Sequence, residues 1–576
     1  MISRNNIFGY SNQKSDIRKR TWIIIVIFML LFCLLIWRIA NYMYFNSRPL
    51  KTMFNEQYTI DEKYGSQYSL TDCNGLDLLK YEINYYAIID PVDYLRFNEY
   101  TSKYDIEALT ITLRNFNKSY DLEKIKGTGN GQKLRYKIDK ETYDKLKDIK
   151  KVKGFYIFKS NDVIKDRYWK IENVLTNSTY NKVSVNPATK KDTSEIVSKS
   201  ASSLEMQIYN KTKNNEYTKI RFSKGVNGEI AAGKIIKPKS NVNVRLTINK
   251  ELQDKVEGIL HEECYKKYNQ IGVVLMESSS GKIRAMAQKD DNAYNANLGY
   301  PSTRGSLPGS IFKVIVDEAG LDTKIINNNQ EFKLNPSLFP GEPIKGDGGP
   351  FTVAQALTVS SNNVFAQIGW KVGVQNIYKY AQKQGMLGKV LNLQQEDSGN
   401  FQEDLLNPTY AETSQTAIGQ NVTITPLEAI SIPNTIINNG VYVQPSIIDS
   451  YVDDNNKVIE KITPKTTTVL KSETAENVKH HMVDVVDSNI GTGTEASIKG
   501  MDIGGKTGTT TYTENGNKKS DGWFVGFFNL NGKNYSMVVF VNKIEISKEK
   551  GVADEEAGGT AAPIFKKVIN AFKVMN

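Results

Sequence analysis

Gly522-Trp523-Phe524-Val525-Gly526-Phe527-Phe528 and Tyr535-Ser536-Met537-Val538-Val539-Phe540-Val541 stand on either side of Asn531-Gly532. Both runs are rich in aromatic and β-branched residues, which fit a pleated surface. Asn-Gly tolerates the left-handed backbone that a tight reversal needs, so the stretch predicts an antiparallel hairpin. Upstream, residues 271–276 and 283–288 read as a second hairpin, reversing at Ser278-Ser279-Ser280-Gly281. Val242-Asn243-Val244-Arg245-Leu246-Thr247-Ile248 alternates like a strand and leads into a helix predicted over 250–268. A last helix over 563–574 opens with Pro563, suited to a first helical turn. With a long helical middle, these elements predict an α+β domain over 242–576, with helices packed on an antiparallel sheet.

The chain has 576 residues, too many for one core, and two to four domains are expected. Residues 22–37 contain no charge, and 21–40 is long enough to cross a bilayer if Arg38 snorkels. Arg4, Lys14, Arg18, Lys19 and Arg20 precede it against the single acid Asp16, which predicts a cytoplasmic tail at 1–20 and an exported remainder. Arg38-Ile39-Ala40-Asn41-Tyr42 is a poor cleavage site, so an uncleaved anchor is favoured over a signal peptide.

Residues 45–240 are rich in Lys, Asn and Tyr and read as a β-rich spacer or docking module. Runs such as 81–88 and 108–113 alternate like half-buried strands, and 138–152 reads as a helix. The net charge of +11 is spread among acids, as on a solvated surface, and no motif supports nucleic-acid binding. Cys73 and Cys264 make no disulfide framework, although a bridge between them is open. No Cys/His cluster has metal-ligand spacing, and no cofactor is expected.

Chemistry concentrates at Pro308-Gly309-Ser310-Ile311-Phe312-Lys313, at the start of a predicted helix. Positions three apart share a helical face, so the Lys313 amine can sit over the Ser310 hydroxyl. A serine nucleophile needs a neighbouring base, and His261, His480 and His481 lie in segments without a plausible nucleophile. Alone the pair is unspecific, because serine caps many helices and lysine usually faces solvent. Two further segments add to it: Ser360-Ser361-Asn362, and Lys506-Thr507-Gly508-Thr509 on a glycine-flanked strand.

The three motifs in this order resemble the S-x-x-K, S-D-N and K-T-G set of serine β-lactamases and penicillin-binding proteins. From about residue 45 to its C-terminus the chain resembles the class B penicillin-binding proteins. Supporting stretches are Leu246-Thr247-Ile248, Gly419-Gln420, Thr425-Pro426-Leu427, Gly491-Thr492-Gly493 and Trp523-Phe524-Val525-Gly526. Asp72-Cys73-Asn74-Gly75 retains only the end of the family's pedestal motif. Ile311 stands where Thr is usual, and Asn421 where a glycine is usual.

The resemblance implies a membrane-anchored D,D-transpeptidase that crosslinks peptidoglycan stem peptides and is acylated by β-lactams, with D,D-carboxypeptidase side activity open. Ser310 is then the nucleophile and Lys313 its base. Ser360 relays a proton, Asn362 orients Lys313, and Lys506 holds Lys313 neutral by repulsion. The backbone N–H groups of Ser310 and Thr509 form the oxyanion hole, while Thr507, Gly508 and Thr509 bind substrate. It also implies a partner of the SEDS glycosyltransferase family, and no glycosyltransferase domain in this chain. Two rivals remain: a membrane-anchored β-lactamase, for which Glu396-Asp397-Ser398-Gly399-Asn400 offers a glutamate, and a non-catalytic β-lactam sensor.

Overall fold

The computed structural model describes residues 9–44, 58–125, 132–164, 169–185, 192–299, 306–340, 349–401, 407–514, 517–545 and 557–575. In it the two predicted hairpins and the K-T-G strand join into one antiparallel sheet. Its strands are β1 (Gln270–Glu277), β2 (Lys282–Gln288), β3 (Ile503–Glu514), β4 (Asn517–Leu530) and β5 (Lys533–Glu545), in the order β2-β1-β5-β4-β3. Side chains alternate along a strand, and here both faces are covered. Trp523, Val525 and Phe527 enter one core with Val538 and Phe540. Phe524 and Phe528 enter the other with Val539 and Val541. That double burial is why β4 reads as a continuous apolar run.

The second core is closed by α2 (Lys250–Leu260), through Leu252, Val256 and Leu260, and by α6 (Ala557–Met575), through Ile564, Phe565, Val568 and Ile569. The first contains α3 (Lys313–Asp322), α4 (Asn362–Val372) and α5 (Ser472–Asp487). Two boundaries differ from expectation. The helix after Asn249 ends at Leu260 and is followed by a separate turn, Glu263–Tyr265. The last helix starts at Ala557, so Pro563 lies inside it rather than opening it.

The chain divides into two units. The first is Met1–Gly65, Glu82–Asp162 and Tyr217–Lys237; the second is Ser66–Tyr81, Val163–Glu216 and Pro238–Asn576. Segments within 45–240 therefore group with the second unit. Leu70–Thr71 pairs in parallel with Asn243–Leu246, and Ile171, Val174, Leu175 and Ile208 join the core of Val244 and Leu246. Asp72 fixes this junction by accepting hydrogen bonds from the backbone of Asn74, Leu76 and Lys250 at 2.8–3.1 Å.

In the first unit α1 (Gly9–Tyr44) contains a stretch, Arg18–Asn41, long and apolar enough to cross a membrane. Two three-stranded sheets follow, one centred on Tyr81–Ile89 and one on Lys219–Ser223. Residues 108–113, expected as a strand, lie inside the helix Lys103–Phe116. Leu109 and Leu113, one turn apart, enter the same core as Ala87 and Ile89, and that 3.6-residue spacing overrides the apparent alternation. Lys140–Leu146 is the helix within the expected 138–152, capped by the Asp139 carboxylate on Thr142 N–H at 2.8 Å. Cys73 and Cys264 are both free thiols.

Candidate active site

A side chain from β4 and the loop at Gly419 hold the turn that carries Ser310. Trp523 Nε1 donates to Leu307 O at 3.0 Å, and Gly309 N–H donates to Gly419 O at 3.0 Å. Gly309 has φ 55°, and a Cβ there would lie 2.7 Å from Thr509 O, so conformation and space both demand glycine. A tight turn, Gly309–Phe312, then feeds α3. Ile311 and Phe312 are fully buried, while Ser310 is partly exposed.

Lys313 is fully buried, a rare setting for a lysine. Its Nζ donates to Ser360 O at 2.7 Å and Asn362 Oδ1 at 2.7 Å, and lies 3.3 Å from Ser360 Oγ. Ser360 sits between the helices Val353–Thr358 and α4 with φ 60°, a left-handed backbone uncommon outside glycine. Ser361 caps α4 on Val364 N–H at 3.4 Å. The turn thus directs the hydroxyl of Ser360 and the amide of Asn362 toward one amine.

Lys506, also fully buried, reaches the same hydroxyl from β3, with Nζ 3.0 Å from Ser360 Oγ. It further donates to Thr507 O at 3.1 Å and to Thr507 Oγ1 at 3.4 Å. The Thr507 hydroxyl passes its own hydrogen to Thr492 Oγ1 at 2.8 Å. The strand register sets Thr507 opposite Phe524, Gly508 opposite Trp523 and Thr509 opposite Gly522. A Cβ on Gly508 would lie 2.5 Å from Pro308 O. The structure therefore gathers Lys313, Ser360, Asn362, Lys506 and Thr507 into one hydrogen-bonded set and lays the Ser310 turn along Gly508 and Thr509.

Of the two departures, Ile311 packs beneath β3 in the core, and Asn421 Nδ2 reaches Glu412 O at 3.5 Å. Among the described residues no group of three or more His, Cys, Asp or Glu could hold a metal ion.

Several groups near the motifs escaped the sequence reading. Thr492 was visible only as part of a supporting stretch. On α3, Asp317 and Glu318 are both fully buried. Asp317 Oδ2 lies 2.8 Å from His481 Nδ1 on α5, and Glu318 accepts from Gln384. Burial pushes Glu318 well above the usual carboxylate range despite that bond. Burial presses the His481 imidazole down, but the charge and hydrogen bond of Asp317, with the charge of Asp484, outweigh it and raise it overall. The Lys313-to-Asp317 spacing of one helical turn was the available signal.

Glu396, the glutamate of the β-lactamase reading, accepts backbone N–H bonds from Val390 at 2.6 Å, Leu391 at 3.1 Å and Leu393 at 3.0 Å. It clasps its own loop, and burial raises its carboxyl against those donors.

A family model for the penicillin binding protein transpeptidase domain matches residues 271–570, more than half of the chain. The chain belongs to the penicillin-binding protein transpeptidase family. Stage V sporulation protein D of Bacillus subtilis is 28% identical over 357 residues, 58% of this chain and 53% of that protein. Peptidoglycan D,D-transpeptidase PbpA of Mycobacterium tuberculosis is 24% identical over 372 residues, 57% of this chain and 72% of that protein. The chain spans about half the length of the first. A solved peptidoglycan synthetase from Bifidobacterium adolescentis shares the fold, with TM-score 0.60, 18% identity, and coverage of 90% of this chain and 96% of that one. These relatives agree with the class B resemblance.

Proposed function

We propose that this chain is a serine D,D-transpeptidase that crosslinks peptidoglycan stem peptides and is acylated by β-lactams at Ser310. The observation that carries the reading is the sharing of one hydroxyl, Ser360 Oγ, by two fully buried lysines at 3.3 and 3.0 Å. Two charged ammonium groups that close repel by roughly 2–3 kcal/mol at an effective dielectric of 20, which favours one as the neutral amine. Lys313, bonded to Asn362 and next along the turn from Ser310, is the one assigned that state.

In the acylation step, neutral Lys313 takes the Ser310 proton while Oγ bonds to the carbonyl carbon between the two terminal D-alanines. The negative oxygen is held by the N–H groups of Ser310 and Thr509, each worth about 10²–10³ in rate by analogy with other oxyanion holes. The C–N bond then breaks, and the proton passes through Ser360 to the departing D-alanine amine. Thr507 and Thr509 hold the terminal carboxylate, and Lys506 supplies positive potential. In the second step an acceptor amine attacks the ester, forms the new amide and returns the proton to Ser310.

The basic residues ahead of the apolar stretch within α1 support a single-pass anchor with a cytoplasmic N-terminus and an exported catalytic unit. Residues 45–240 are assigned a spacing and docking role, with a SEDS-family glycosyltransferase as the proposed partner. Mass spectrometry of the full-length protein in detergent after benzylpenicillin tests the activity. A stable adduct on the Ser310 peptide, absent from Ser310→Ala, is expected. Labelling retained in Ser310→Ala removes the assignment, rapid loss of the adduct points to a lactamase, and no labelling at all points to a non-reactive scaffold.

A further inference from the structure

Asp317 lies one helical turn beyond Lys313, on the same face of α3 and within the same buried interior. An ionised carboxylate there favours the protonated amine, which is the wrong state for a base. His481 Nδ1 meets Asp317 Oδ2 at 2.8 Å, while Asp317 Oδ1, also buried, has no hydrogen-bond partner. The imidazole is thus the group that offsets the carboxylate charge. It also couples the motifs mechanically. Helix α5 packs on both α3 and β3, and it leads into the turn at Thr492, whose hydroxyl accepts from Thr507.

We propose that Asp317 and His481 form a positioning pair that sets how readily Lys313 releases its proton and holds α3 in register with the K-T-G strand. This rests on the transpeptidase reading above. Ionisable groups flank the pair on both helices. Glu318 adjoins it on α3, and Asp484 lies one turn along α5. Among the elements packed on α5, Val353–Thr358 and Ser431–Ile437 carry no ionisable side chain, β3 contributes Lys506 and Tyr512 among its described side chains, and Glu495 in the turn Thr494–Ala496 is exposed. Against the other side of α3, α4 contributes Lys371, and Val374–Lys383 contributes two tyrosines and two lysines, of which Tyr380 donates to Asp322.

The test is the pH profile of the acylation rate of full-length protein with a fluorescent penicillin. Asp317→Asn removes the negative charge, so the acid limb moves to lower pH. His481→Gln leaves the carboxylate without its cation, so the limb moves to higher pH. Each displacement is expected to be on the order of half a unit to one unit. A merely structural pair would slow both variants without separating their limbs. Limbs that stay in place, or move in the same direction, overturn the proposal. If His481→Gln does not fold, Asp317→Asn decides alone, and a limb that fails to fall overturns it. If Asp317→Asn does not fold, His481→Gln decides alone, and a limb that fails to rise overturns it. A wild-type protein with no adduct on Ser310 would instead defeat the functional reading itself.

Discussion

Lys506 Nζ stands 3.0 Å from Ser360 Oγ, although 146 positions separate the two residues in the chain. The hydroxyl between Lys506 and Lys313 gives both amines a common acceptor. Ser360→Ala removes that acceptor and the proposed proton path. Its acylation by penicillin is expected to fall by about 10²–10⁴-fold, the usual range for loss of acid–base assistance. Stopped-flow acylation rates check this. A rate within a few-fold of wild type contradicts the relay.

Lys313→Ala and Lys506→Ala each remove a fully buried amine from the same cluster. Both are expected to slow acylation severely, Lys313→Ala through loss of the base and Lys506→Ala through loss of the repulsion that keeps Lys313 neutral. Raising the pH should therefore not rescue Lys313→Ala, whereas it should partly rescue Lys506→Ala. Rates at neutral and alkaline pH separate the two.

Glu396→Gln turns one of the acceptors facing Val390, Leu391 and Leu393 into a donor. The fold is expected to lose roughly 1–3 kcal/mol, as for other buried hydrogen bonds to charged groups. The lifetime of the penicillin adduct should not change. A markedly longer-lived adduct in this variant would revive the hydrolytic reading.

Stability should fall as pH rises through neutrality. Burial raises Glu172 and Glu428 to about 7, against Lys170 in the first case and backbone donors in the second. These carboxyls hold protons in the native state that the unfolded chain has released, so native protein binds more protons and loses stability as pH climbs. His481, raised above 6.5, acts in the same direction: its contribution is complete below the unfolded value and is lost as pH passes the folded one. Asp322 and Asp449 are lowered, each against its own burial: Asp322 by the hydrogen bonds of Tyr380, Lys471 and Thr474, and Asp449 by Lys282. They therefore weaken the fold only as pH falls through the carboxylate range. Thermal unfolding should peak on the acid side of neutral, and Glu428→Gln should flatten the decline above it.

The sheet was legible because both hairpins announce themselves: Asn531-Gly532 and the serine-glycine turn at 278–281 separate runs that can be little else but strands. The three motifs were legible because their residue types are odd for their settings. What they could not give was distance. That Lys313 and Lys506 meet at Ser360 depends on the left-handed turn after Val353–Thr358 and on the register of β3. The helix Lys103–Phe116 was misread because Leu109, Ile111 and Leu113 alternate while the burial actually follows Leu109 and Leu113. The Asp317–His481 pair was invisible because its members are 164 positions apart and neither belongs to a motif.

The left-handed backbone of Ser360 narrows the choice of amino acid at that position more sharply than the chemistry does. Threonine carries an equivalent hydroxyl, but a β-branched residue is a steric outlier at φ 60°. Glycine, asparagine and aspartate accept the torsion and lack the hydroxyl. Under the proposed mechanism, a variant that reacts more slowly with β-lactams has to leave that one serine standing and work on its surroundings.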